Sequence, residues 1–103
     1  MLLLVLTGCG PDNYARKGEE FYAIGEYYDA AEEFKKAYSN TPVKEKEKRG
    51  ERAWKMAECY RRIGYGAKAA GAYQNAVRYK AGGKEAVLRL AQMQHGMGKY
   101  TKP

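Results

Sequence analysis

Three short phrases recur along the chain at nearly regular distances: Gly25-Glu26-Tyr27, Gly64-Tyr65-Gly66 and Gly98-Lys99-Tyr100. The second and third glycines stand 34 residues apart, and the first and second 39 apart, which is the same period with 5 residues inserted. A repeat of this length is one supersecondary unit that cannot bury its apolar side alone, so neighbouring units must stack. That constraint fixes the architecture before any single residue is weighed. It predicts short helices joined by glycine turns and piled into a solenoid. A length of 103 residues suits one small domain and leaves little room for a second.

Helical periodicity fills the intervals between the glycines. Tyr27, Ala30, Ala31, Phe34 and Tyr38 follow the i, i+3, i+4 spacing of one buried face, and Ala53, Met56, Tyr60 and Ile63 do the same further on. Thr41-Pro42 reads as an N-cap followed by a proline in the first turn, where the missing N–H costs nothing. Gly82-Gly83 reads as a helix end. The spacing predicts helices over 13–24, 27–39, 43–63, 66–80 and 84–97, with a sixth beginning near Tyr100. No alternating strand pattern occurs, so the fold class is all-α.

Composition excludes most chemistry. The chain has one histidine, His95, and two cysteines, Cys9 and Cys59, 50 residues apart. These cannot build a zinc finger, a paired redox site or a histidine-based triad. Gly64-Tyr65-Gly66 lacks the lysine and hydroxyl residue of a phosphate loop. No cofactor and no metal are expected, and an enzyme is the least favoured class. Ten tyrosines against two phenylalanines suggest repeated aromatic packing positions, and Cys59 reads as a buried core thiol. The run Lys44-Glu45-Lys46-Glu47-Lys48-Arg49 falls in the inserted residues. It reads as a solvated helix extension, with Glu45–Arg49 and Glu51–Lys55 spaced for ion pairs, or alternatively as a docking surface for an acidic partner.

The amino terminus carries a separate signal. Met1 to Leu6 form an apolar run too short to span a bilayer, which takes about 20 residues. The run leads into Leu6-Thr7-Gly8-Cys9, which resembles the lipobox of bacterial lipoproteins. The resemblance implies a leader over 1–8, acylation of Cys9 and a short linker over 9–13. A basic segment ahead of the apolar run, usual in such leaders, is missing here. Gly10, rather than an aspartate, follows Cys9, which points to the outer membrane, facing the periplasm.

From position 11 onward the chain resembles the tetratricopeptide repeat family, whose units of about 34 residues pair two helices. The family's packing signature is large, aliphatic, small, aromatic, alanine, aromatic, alanine, proline. In the first repeat, 11–44, these places hold Tyr14, Lys17, Gly18, Phe21, Ala30, Phe34, Ala37 and Pro42, with Lys17 departing. In the second, 50–83, they hold Ala53, Met56, Ala57, Tyr60, Ala69, Tyr73, Ala76 and Ala81, with Ala53 and Ala81 departing. An incomplete third, 84–103, supplies Val87, Leu90, Ala91 and Gln94. The resemblance implies two complete repeats and a truncated third, about five helices in all. It also implies a concave groove lined by the first helix of each repeat, holding Tyr22, Trp54, Glu58, Arg61, Arg62, Leu88, Gln92 and His95. Arg61 and Arg62 are then candidates to grip a carboxylate.

Lipobox and repeats together resemble the amino-terminal part of envelope lipoproteins in which such repeats precede an OmpA-like domain, one group of which serves type IX secretion. The expected function is a lipid-anchored, non-catalytic scaffold that binds another envelope protein or peptide. The alternative is a basic helical repeat that binds nucleic acid or acidic wall polymers, for which the net charge of +7 speaks. Export makes nucleic acid the weaker partner. An uncapped final repeat would expose Val87, Leu90 and Met97, so self-association through that edge is a further expectation.

Overall fold

The computed structural model describes residues 10–101, with side chains through residue 96. It is all-helical: α1 (Pro11–Ala23), α2 (Tyr27–Asn40), α3 (Lys46–Arg62), α4 (Gly66–Arg78) and α5 (Gly83–Thr101). Each helix packs on its neighbours in sequence. Within the first pair, Tyr14 faces Lys36, Gly18 faces Phe34 and Tyr22 faces Tyr27. Within the second, Gly50 faces Tyr79, Trp54 faces Tyr73 and Tyr60 faces Tyr65. One number rises as the other falls, so each pair is antiparallel.

The turns explain the first two glycine phrases. Gly25 and Gly64 sit at φ of 80° and 79°, the left-handed region where a Cβ is costly. Each lets the next amide reach back: Glu26 N–H donates to Phe21 O, and Tyr65 N–H to Tyr60 O, both at 2.9 Å. The third phrase behaves differently. No turn forms at Gly98, and α5 runs through it to Thr101, so the expected sixth helix near Tyr100 is absent. Glycine permits a left-handed turn but does not compel one; inside a helix it costs only about 1 kcal/mol relative to alanine.

Other boundaries also shift. Residues 11–13, expected in a linker, form the first turn of α1, because Pro11 is pre-set for that position. Thr41 caps the end of α2 rather than starting α3: its hydroxyl donates to Ala37 O at 2.6 Å. Helix α3 then begins at Lys46. Helix α4 stops at Arg78, and Lys80, not a glycine, adopts the left-handed conformation at φ 61° while Ala81 N–H reaches Ala76 O.

The core is built of alanine and aromatic residues. Ala30, Ala31, Phe34, Ala57, Cys59, Ala69 and Tyr73 are all but inaccessible. Small residues bring backbones together and rings fill the gaps. At Gly18 an added Cβ would lie 2.8 Å from the Phe34 ring, and at Gly50 2.9 Å from the Cβ atoms of Tyr79 and Ala81. Leu90, expected to be exposed, packs with Met93 against this core, whereas Val87 and Leu88 remain exposed. The Met97 side chain lies outside the described residues.

Candidate functional site

The alternate helices α1, α3 and α5 share one face, and cross-helix contacts seam it. Arg52 of α3 meets Asp12 of α1 at 2.6 Å, with Lys48 at 3.6 Å from the same carboxylate. Lys55 meets Glu19 at 3.3 Å. The Arg62 guanidinium lies 5.6 Å from the Tyr22 ring and 5.3 Å from Tyr27. Positions in α1 and α3 increase together, so these two helices run parallel. Lys48, Arg52, Lys55 and Arg62 recur at three-, four- and seven-residue steps, which places them on one helical stripe. Glu58 extends the seam to α5, where Arg89 approaches at 3.9 Å.

The eight residues expected to line the groove divide by environment. Tyr22 is half-buried, edge-on to Tyr27 and covered by Lys55 and Arg62. Trp54 is half-buried as well: its ring meets Tyr73 at 5.6 Å edge-on and lies so close to Gly82 that a Cβ there would come within 2.6 Å. Glu58 is buried. It accepts a short hydrogen bond from the Tyr73 hydroxyl and a second, at 3.0 Å, from Arg61. Arg61 also donates to the Tyr73 oxygen at 3.1 Å. Its guanidinium is half-buried and already paired with the Glu58 carboxylate of its own helix. Arg62 is exposed, and among the described residues no carboxylate pairs with it. Leu88, Gln92 and His95 are exposed along α5.

Ionisation follows the same geometry. Burial alone would raise Glu58, but the Tyr73 hydroxyl, Arg61 and Arg89 outweigh it and hold the carboxyl below its ordinary value. Burial, then the hydrogen bond to Glu58 and its charge, push Tyr73 up to about 12. The Arg52 hydrogen bond, helped by Lys48, lowers Asp12. Burial pushes the Cys59 thiol up to about 12, so it stays protonated and unreactive at neutral pH.

Sequence reasoning missed the arginines that organise the ends. Arg49 does not pair with Glu45, nor Glu51 with Lys55. Arg49 turns inward: its guanidinium sits 4.2 Å from the Tyr38 ring and 5.5 Å from Tyr79. It donates to the Tyr79 hydroxyl at 3.0 Å, to Thr41 O at 2.8 Å and to Tyr38 O at 3.3 Å. Arg52 is buried between the Thr41 hydroxyl, at 2.5 Å, and Asp12. Only the tyrosine pair, one at the end of each second helix, could have signalled an arginine between them.

Cys9, the expected acylated residue, lies outside the described residues. Among those described, no cluster of His, Cys, Asp and Glu is arranged to hold a metal ion, and no helix is long and apolar enough to cross a membrane. Comparison with protein-family models, with curated proteins and with solved structures finds no match.

Proposed function

We propose that this chain is a non-catalytic scaffold of the tetratricopeptide type, held in a bacterial envelope by a lipid on Cys9, that binds another envelope protein or peptide along α1, α3 and α5. The observation that supports this most is the seam on that face. Asp12, Glu19 and Glu58 are spent in joining helices, while Arg62, Leu88, Gln92 and His95 are left exposed along one surface. Arg62 lies against two tyrosine rings and still offers charge to solvent, a setting suited to a carboxylate. Leu88 is 53% exposed and suits an apolar side chain. An extended segment with an acidic and an apolar residue fits this chemistry, in a secretion or envelope-assembly complex at the outer membrane.

The anchor and the scaffold are tested separately. Metabolic labelling with a palmitate analogue in a bacterial host should mark the wild-type chain and not Cys9→Ser; equal labelling contradicts the anchor. Titration with single-stranded RNA at physiological ionic strength should give no tight complex. Tight binding with a steep salt slope would favour the nucleic-acid reading instead.

A further inference from the structure

The two ends of the helix stack differ in how many cations they expose. One end holds the glycine turns, where Glu26 and Asp29 are exposed beside Arg62 and Lys68. At the other end meet the start of α1, the end of α2, the 41–45 loop, the start of α3, the end of α4 and the start of α5. Arg49, Arg52 and Gly50 bind these segments together through Thr41, Asp12 and Tyr79. Lys44, Lys46, Arg78, Lys80 and Lys84 are all exposed here, and none has a carboxylate within ion-pair distance among the described residues. Lys46, Arg78 and Lys80 surround one shallow depression beside Tyr79. Of the local acids, Asp12 pairs with Arg52 and Lys48, Glu45 with Lys48 and Glu85 with Arg89, while Glu47 and Glu51 are exposed; the cations here still outnumber the acids. Pro42 and Val43 are exposed between the lysines, Val43 at 64%.

We infer that this basic end is the surface by which the protein rests on an anionic lipid bilayer. The inference deepens the anchor reading and rests on it for orientation. Only Gly10 separates Cys9 from Pro11 at the start of α1, and consecutive Cα atoms are about 3.8 Å apart. A lipid on Cys9 therefore keeps this end, and no other, within about a Debye length of the headgroups. Unpaired lysines at that distance attract lipid phosphates, and Val43 offers a small apolar contact at the interface. The other end then stands about 20 Å away, the length of α1. The α1, α3 and α5 face opens sideways, clear of the membrane.

The full chain carrying Cys9→Ser tests the surface without the anchor, so its failure is distinct from failure of acylation. Flotation with phosphatidylcholine vesicles is compared with flotation on vesicles that also contain phosphatidylglycerol. Phosphatidylglycerol should raise binding. Replacing Lys44, Lys46, Lys80 and Lys84 with Gln should lower that increment by several hundredfold, since each cation near an anionic surface contributes about fivefold. A control replacing Lys17, Lys55, Arg62 and Lys68 with Gln removes equal charge from mid-helix positions and the glycine-turn end, and should lose far less. Equal loss in the control, or binding indifferent to phosphatidylglycerol, would overturn the inference. So would a basic end that binds single-stranded RNA and not the vesicles.

Discussion

Arg49 joins three elements through one side chain, and its planar fork is what makes this possible. It donates to the Tyr79 phenol oxygen just past α4 and to two carbonyls at the end of α2 while stacking near both rings. Hydrogen bonds from a charged donor contribute about 1.5–3 kcal/mol, so Arg49→Ala should cost about 2–3 kcal/mol in a denaturant melt. Arg49→Lys should fail to restore it, because a point charge cannot serve all three acceptors. A lysine variant as stable as wild type would show that charge alone matters. Glu58 and Tyr73 set the pH limits. The folded Glu58 carboxyl lies below its ordinary 4.5, so the unfolded chain takes the proton first as pH falls. Its stabilisation is complete above that value and is lost below it, and Glu58→Gln should flatten the acid limb of the melting curve. Tyr73 has the opposite sign: its folded value is raised from 10 to about 12, so its contribution is present below pH 10 and fades as pH rises through that window. An acid limb unchanged in Glu58→Gln would contradict this assignment.

Among the elements, turns separate what the sequence made legible from what it did not. Gly25 and Gly64 carry a local signal, a residue free of Cβ where the chain must turn left-handed, and both turns form. Gly98 carries the same local phrase yet lies inside α5, because the residues on either side of a glycine decide whether a turn forms. Lys80 is the converse: a left-handed residue with no glycine to announce it, next to Gly82, whose ordinary reading as a helix end misplaces the boundary. A left-handed residue with a Cβ costs about 1–2 kcal/mol, so Lys80→Gly should raise stability by about 1 kcal/mol. A neutral or destabilising result would mean that the Lys80 side chain is held by contacts the turn needs. Close approach was legible too. Gly18 and Phe34 occupy the small and aromatic places of the pattern, and the ring does lie where a Cβ would go. Gly18→Ala should therefore cost about 1–3 kcal/mol through overpacking, read by thermal melting. The ion pairs were legible only as spacing. Glu45–Arg49 satisfied the helical rule, but tertiary acceptors took the arginine.

At the scale of the whole molecule, the five helices among the described residues make, in sequence order, a layer with two distinct long faces and two distinct ends. Periodicity shows which residues are buried, and it gave the all-α class and the helix pairing. It does not show which cations find partners, and so Arg61 and Arg62, adjacent in sequence, looked equivalent. The structure separates them: Arg61 closes on Glu58 and Tyr73, and Arg62 remains outward on Tyr22 and Tyr27. The proposed function puts a partner along α1, α3 and α5. Site-specific photocrosslinking in the native envelope tests it directly, with a benzophenone side chain placed in turn at Arg62, Leu88 and His95. Matched positions at Lys35 and Gln74, exposed on α2 and α4, serve as the comparison. One shared crosslinked species is expected from the first set and none of it from the second. The same species from both sets, or only from Lys35 and Gln74, would contradict it.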